Sequence, residues 1–148
     1  MEHTHAFWMK HALHEAFVAF SRDEVPVGAV LVRGDKLMIR DHNKTNLRNN
    51  PLAHAEMLIL NEMQNHDKYL YDYTLYVTVE PCLMCAGALI LSRIGCVVYG
   101  CADPKAGVTG SILNVFEDKH FNHHPKLVSG IMAEECGDLL KKFFQSKR

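Results

Sequence analysis

The chain has 148 residues, of which 48% are hydrophobic and 22% charged, and its formal net charge is −1. These values are typical of one globular domain that buries roughly two-thirds of its unfolded surface, so residues 1–148 are expected to form a single domain. They exclude a membrane-spanning chain, because no apolar run reaches roughly 18 residues, and they exclude a protein that is basic over its whole surface.

The first predicted element is an amphipathic helix. Its apolar residues recur at spacings of three and four, namely Ala6, Met9, Leu13, Phe17 and Phe20. Pro26 and Gly28 end this helix before a short apolar run at 29–32, which predicts a buried strand. A turn at Gly34 leads into a second strand over 36–40, and the polar segment that follows indicates a loop as far as residue 51.

Helices and strands alternate in the rest of the chain. The expected helices are 53–64, about 82–92 and 133–145, and the expected strands are 74–79, 96–100 and 126–128. The strand at 74–79 is rich in β-branched and aromatic residues, which favours a central position. A hairpin followed by such alternation predicts an α/β fold, a three-layer α/β/α sandwich around a mixed five-stranded sheet with parallel middle strands.

Two short segments carry the chemistry of a metal site: His54 with Glu56, and Cys82 with Cys85. Structural zinc sites usually take four protein ligands, whereas catalytic sites take three and keep one position for water. One imidazole and two thiols therefore indicate one catalytic Zn²⁺ per subunit, with Glu56 as the proton shuttle. A helix start at Cys82 favours the thiolate form, and two helix starts at one sheet edge would bring the ligands together.

Three other interpretations compete with a catalytic metal. Cys82 and Cys85 have the spacing of a dithiol redox pair, but that role leaves His54 and Glu56 without a function. A structural zinc site would need a fourth ligand such as Cys101, which has no partner motif. The four residues could also be ordinary core residues that share this spacing by coincidence.

Beyond these segments, the chain resembles the bacterial tRNA-specific adenosine deaminases, which convert adenosine to inosine at the wobble position of an anticodon. The pattern H-x-E with P-C-x-x-C is a known signature of zinc deaminases in general, including cytidine, cytosine and guanine deaminases. The resemblance to the tRNA enzymes comes from the flanking segments, which span nearly the whole chain: 7–9, 12–13, 25–30, 74–88, 92–94, 103–105, 110–111, 121–123 and 143–144. It implies the cytidine-deaminase-like fold and an arginine tRNA as substrate.

The resemblance also implies roles for single residues. It assigns His54, Cys82 and Cys85 to the zinc ion, Glu56 to proton transfer, and Asn43 to a hydrogen bond with the flipped adenine. Four residues would line a groove for the anticodon loop: Asp103, Lys105, Asn122 and His123. Two residues near the C-terminus, Phe144 and Arg148, would contact the flanking nucleotides. The family is homodimeric, and its substrate cleft draws on both subunits.

A net charge of −1 is compatible with an RNA substrate, because a hairpin loop can be bound through stacked bases and a few phosphate contacts. We therefore expect weak non-specific binding and a modest dependence on salt. Two other functions stay open: deamination of a free base or nucleoside such as guanine or cytosine, and a zinc-stabilised RNA-binding module without catalysis. The first residues lack the features of a signal peptide, so a cytoplasmic location is expected, without an organic cofactor or a membrane partner.

Overall fold

The computed structural model describes residues 2–148, apart from the side chain of Gln64. It contains four α-helices and five strands in these residues. In chain order they are α1 (His5–Ser21), β1 (Gly28–Arg33), β2 (Lys36–His42), α2 (Ala55–Glu62), β3 (Tyr73–Val79), α3 (Leu83–Leu91), β4 (Cys96–Cys101), β5 (Lys126–Val128) and α4 (Ala133–Gln145). Each predicted element is present, with ends that differ from the prediction by a few residues.

The five strands form one mixed sheet in the order β2-β1-β3-β4-β5. Strand β1 is antiparallel to both β2 and β3, whereas β3, β4 and β5 run parallel to one another. The chain passes from β3 to β4 through α3, and this crossover is what permits two adjacent parallel strands. The mixed five-stranded sheet predicted from the sequence is confirmed.

The helices cover both faces of the sheet. Alternate residues of β1 illustrate this: Ala29 and Leu31 belong to the apolar cluster under α2 and α3, whereas Val30 and Val32 belong to the cluster under α1 and α4. This alternation follows from the period of two in a strand, which sends neighbouring side chains to opposite faces. The sequence prediction of a three-layer α/β/α sandwich is therefore confirmed.

Helix α1 packs more closely on the sheet than its sequence pattern suggests. A Cβ atom at Gly28 would lie 2.1 Å from the carbonyl oxygen of Ala12 and 2.4 Å from the amide nitrogen of Ala16, so only glycine fits there. The buried face of α1 is accordingly lined by small residues such as Ala12 and Ala16, and Phe17 of the expected apolar stripe is 59% exposed. That part of the predicted stripe is wrong, because the short distance between backbones beside Gly28 admits only small side chains, whereas larger apolar residues are buried nearer the start of the helix.

Within residues 2–148, none of the helices has the length and apolar character that crossing a bilayer requires. The tertiary structure instead places two helix starts and two loops at one edge of the sheet. Strands β3 and β4 both end at that edge, and the segments that follow them begin there. Open α/β sheets generally bind their ligands beyond the carboxyl ends of parallel strands, so this edge is where a site is expected.

Candidate active site

Two helix N-termini position the predicted metal ligands. His54 is the residue that precedes α2, and Cys82 is the residue that precedes α3, three positions after the last residue of β3. Cys85 follows in the first turn of α3 and is fully buried. The backbone is extended at His54 and at Cys82, and this conformation directs both side chains into the space between α2 and α3.

The three ligand atoms lie close enough to share an ion. Nδ1 of His54 is 3.6 Å from Sγ of Cys82 and 3.6 Å from Sγ of Cys85, and all three atoms lie within 4.8 Å of one another. A tetrahedral zinc ion about 2.0–2.1 Å from nitrogen and about 2.3 Å from sulfur would separate nitrogen from sulfur by about 3.6 Å. The donor atoms and their spacing therefore fit a metal ion.

The two thiols differ in their acidity. A hydrogen bond from the thiol of Cys85, together with the neighbouring imidazole of His54, lowers the pKa of Cys82 to about 4 against the opposing effect of burial. The same hydrogen bond, with burial, raises the pKa of Cys85. Contact with Cys82 also raises the pKa of His54. One thiolate is thus already favoured, and metal binding would displace the second proton, since thiols bind metals as thiolates.

Glu56 supplies a carboxyl group beside this cluster. It lies in the first turn of α2 and is 3% exposed. Burial raises the pKa of Glu56 to about 7, with a further contribution from Cys82. A carboxyl group of this kind can both accept and release a proton near neutral pH, which is what general acid–base catalysis requires.

The metal cluster and Glu56 face a cavity of about 240 Å³. Its apolar wall consists of Val25, Val27 and Val79, and its polar wall includes Asn43 and Asp103. A mostly apolar cavity with a few convergent polar groups is the usual form of a site for a small ring. The structure therefore brings Asn43 and Asp103 to the same cavity as His54, Cys82 and Glu56, while Cys85 lies buried behind it.

Asn43 is held firmly at the wall of the cavity. Its side-chain amide nitrogen donates to the carbonyl oxygen of Val25 at 3.3 Å, and its side-chain oxygen accepts from the amide of Thr45 at 3.4 Å. The side chain is nearly fully buried. An amide has two donor hydrogens and an oxygen with two lone pairs, so Asn43 keeps one donor and one acceptor position for a ligand.

A wider groove of about 620 Å³ adjoins the cavity and shares Asp103 with it. Lys105, Phe144 and Arg148 also line this groove, and Phe144 is half exposed. The structure thus gathers four of the predicted RNA-contacting residues along one depression that begins at the cavity.

Asn122 and His123 are placed elsewhere in this chain. The Nε2 group of His123 lies 2.7 Å from the carbonyl oxygen of Ile94, and its ring meets the ring of Tyr71 edge to face. Ile94 lies just before β4, whereas the cavity lies beyond the last residue of β4. Within one chain His123 is therefore at the opposite end of the strand from the three possible ligands, and the structure does not bring it or Asn122 to the cavity.

Sequence reasoning gave no role to two buried carboxylates, of which Glu80 borders the cavity and Glu24 does not. Glu80 accepts hydrogen bonds from Asp103, Thr109 and Ser111, and Glu24 accepts hydrogen bonds from the backbone of residues 46 and 47. Hydrogen bonds outweigh the effect of burial and hold the pKa of Glu80 below its usual value. One signal in the sequence points to Glu80: an acidic residue directly between an apolar strand and the Pro-Cys of the metal motif.

Three comparisons with known proteins agree on the kind of protein this is. The family model of the MafB19-like deaminases matches residues 3–148. A tRNA-specific adenosine deaminase of Bacillus subtilis is 45% identical over 95% of this chain and 89% of its own length. A protein of the same description from Rickettsia bellii is 44% identical over 95% of this chain and 99% of its own length.

Solved structures show the same relation. A structure from a study of A-to-I editing by tRNA:A34 deaminases at the wobble position matches with a TM-score of 0.86 and 38% identity, over 90% of this chain and 99% of that chain. A guanine deaminase from Nitrosomonas europaea, 17% identical, matches with a TM-score of 0.76 over 97% of this chain and 85% of that chain, which shows a shared fold. The cytidine-deaminase-like fold expected from the sequence is confirmed.

Proposed function

The chain belongs to the MafB19-like deaminases and, among them, to the tRNA-specific adenosine deaminases, and from this membership we propose that it converts adenosine to inosine at the wobble position of a tRNA anticodon. One structural observation carries the proposal. Three possible ligand atoms have the spacing of a tetrahedral metal site, two of them border a cavity together with a buried carboxyl group, and a groove of about 620 Å³ adjoins that cavity. The favoured substrate is an arginine tRNA.

The metal is Zn²⁺, one ion per subunit, held by His54, Cys82 and Cys85. Thiolate and imidazole ligands together favour zinc over magnesium or calcium, which prefer oxygen. When bound, zinc would act as a Lewis acid and supply a water molecule activated as a nucleophile near neutral pH.

Glu56 moves the protons of the reaction. Its carboxylate takes one proton from the attacking water and gives it to N1 of the purine ring, and it then moves the proton of the hydroxyl group newly bonded to C6 onto the amino group as the bond between C6 and that nitrogen breaks. The oxygen of the water becomes bonded to C6, and the amino group leaves as ammonia. Asn43 orients the base by hydrogen bonds, and the valines of the cavity wall exclude bulk water around the ring.

The groove explains why the substrate is a nucleotide of an RNA chain rather than a free base. A base must leave its stack to enter a cavity of this size, and its neighbours must then lie outside. Phe144 offers an exposed ring on which a flanking base can stack, while Lys105 and Arg148 lie where phosphates would pass. A free-base deaminase has no use for these groups.

We also infer a homodimer, from the outer face of α3. Leu83, Gly87 and Leu91 recur every four residues on this face; Leu83 is 63% exposed and Leu91 is 78% exposed. A Cβ atom at Gly87 would meet nothing within 4 Å, so the face is open for a second helix to approach. A second copy would also be the source of Asn122 and His123 for the groove. A cytoplasmic location follows from the tRNA substrate and fits the five unpaired cysteines.

The decisive experiment offers the purified protein four substrates in separate reactions. These are an arginine-tRNA anticodon hairpin with adenosine at the wobble position, free adenosine, free cytidine and free guanine, and a hairpin with guanosine at the wobble position is the matched control. Inosine in the adenosine hairpin alone is the expected result. Turnover of guanine or cytidine would favour a free-base deaminase, and hairpin binding without any turnover would favour an RNA-binding module.

A further inference from the structure

Glu80 is a buried carboxylate whose partners are three backbone amides and one hydroxyl group. It follows β3, directly before Pro81 and Cys82, and is 3% exposed. None of the ion pairs found among residues 2–148 includes it. It accepts hydrogen bonds from the amides of Asp103 at 3.1 Å, Thr109 at 3.0 Å and Ser111 at 3.0 Å, and from the hydroxyl of Ser111. We name residues 103–111 the groove loop.

The groove loop passes directly over the Glu80 carboxylate. A Cβ atom at Gly107 would lie 2.2 Å from the carboxyl carbon of Glu80, so a larger residue there would push the carboxylate away from its present hydrogen bonds. The amide of Val108 also donates to the carbonyl oxygen of Pro81 at 3.1 Å. The loop is therefore folded around the chain segment that leads into the metal ligand Cys82.

The shape of this loop determines where two groove residues lie. The side chain of Asp103 accepts hydrogen bonds from the amides of Lys105 at 3.1 Å and Ala106 at 3.2 Å, which makes a tight turn at the start of the loop. Asp103 borders both the cavity and the groove, and Lys105 borders the groove. Since Glu80 holds both ends of the loop, it fixes this turn relative to the cavity; Glu80 itself borders the cavity and is not among the residues that line the groove.

We propose that Glu80 is a positioning residue, which holds the groove loop in the shape that binds the nucleotides next to the target adenosine. The inference rests on the proposed function, because it takes RNA to be the occupant of the groove. A carboxylate is required, since all its partners are donors and an ionised carboxyl group is a pure acceptor. The amide of glutamine would direct its own N–H groups at some of these donors and leave them unpaired.

The first test compares Glu80→Gln with Ser111→Ala in the zinc-loaded enzyme. For the adenosine hairpin, Glu80→Gln is expected to raise KM about tenfold or more, the effect of leaving buried donors unpaired, while kcat at saturating hairpin changes less than about threefold. Ser111→Ala removes one donor and is expected to raise KM about threefold. Both variants should keep one zinc ion per subunit. A fall in kcat with unchanged KM would overturn the inference.

The second test needs no RNA, so it separates this inference from the proposed function. Amide hydrogen exchange followed by NMR should become about tenfold faster or more at Asp103, Thr109 and Ser111 in Glu80→Gln. Glu24→Gln is the matched control, because Glu24 is equally buried but accepts from the amides of Asn46 and Leu47. The variant Glu24→Gln should speed amide hydrogen exchange at residues 46 and 47 and leave the exchange rates of the groove loop unchanged.

The outcomes are distinct. If the wild-type enzyme does not deaminate the hairpin but exchange in the groove loop rises in Glu80→Gln, the proposed function fails and the positioning role of Glu80 stands. If exchange in the groove loop is unchanged in Glu80→Gln, the inference fails whatever the activity. Should Glu80→Gln not fold, Ser111→Ala decides, since unchanged KM and unchanged exchange at 109 and 111 in that variant would overturn the inference.

Discussion

The side chains that we propose as metal ligands lie close to Glu56, which we propose as the proton shuttle, and the two roles belong to different residues. His54 and Glu56 are separated by one residue at the start of α2, and Cys82 and Cys85 approach from the start of α3. Each of the two roles can therefore be removed by one substitution while the other remains. This separation gives the most direct test of the chemistry at the level of single residues.

Glu56→Ala is expected to keep one zinc ion per subunit and to lose turnover of the adenosine hairpin by about 10²–10⁴-fold or more, the usual contribution of a general acid–base group. Cys82→Ala is expected to lose both metal and turnover. Metal content by mass spectrometry and inosine formation check both variants. Cys96→Ala is the control, because that thiol lies outside the ligand cluster and should keep both properties. An active Glu56→Ala enzyme would refute the role of Glu56.

These residues also show which parts of the candidate site can be predicted from the sequence alone. The ligands and Glu56 were predictable because ligand chemistry restricts both residue type and spacing, and the structure brings them together. The place of Asn43 at the cavity was predictable only through family resemblance, since an asparagine in a polar loop usually forms a turn, and its bond to adenine stays a prediction. The part played by Glu80 was not predictable, because its partners are backbone amides that lie 23 to 31 positions later in the chain.

At the scale of elements, sequence patterns of period two and period 3.6 predicted the four α-helices and the five strands of residues 2–148. They assigned some wrong residues to the buried face of α1. On α1, large apolar residues indicated the buried side, yet the side that meets β1 carries alanines. The cause is a distance between backbones that only the tertiary structure reveals, set by Gly28 against Ala12 and Ala16. A sequence pattern reports which residues avoid water, but it does not report how closely two elements approach.

Gly28→Ala is therefore expected to destabilise the protein by about 3 kcal/mol or more, because its methyl group would collide with backbone atoms that cannot move independently. Gly137→Ala in α4 is the matched control, since its Cβ atom would make an ordinary contact of 3.8 Å with the Cβ atom of Cys101. Urea unfolding of the two variants measures the difference. Equal stabilities would mean that α1 can shift away from the sheet at little cost.

At the scale of the whole molecule, the exposed face of α3 predicts the state of assembly. Leu91→Glu places a charge where a second copy would pack, and it is expected to give a monomer with normal zinc content and reduced turnover of the hairpin. Phe17→Glu is the control, because Phe17 is also a large exposed apolar residue but lies on α1. Light scattering after size-exclusion chromatography gives the mass. A monomeric wild-type enzyme would contradict the inferred dimer.

The charge of the whole molecule makes a second prediction, about how RNA affinity depends on salt. A net charge of −1 leaves no broad basic surface, so the phosphates must be met by a few groove residues such as Lys105 and Arg148. Each phosphate neutralised on a single strand contributes about −0.7 to the slope of log K against log salt, so two contacts predict a slope of about −1.4. Lys105→Ala should reduce the slope by about 0.7 in fluorescence anisotropy with the hairpin, whereas Lys10→Ala, on the exposed side of α1, should leave it unchanged. A slope several times steeper in the wild-type enzyme would mean that RNA contacts extend well beyond the groove.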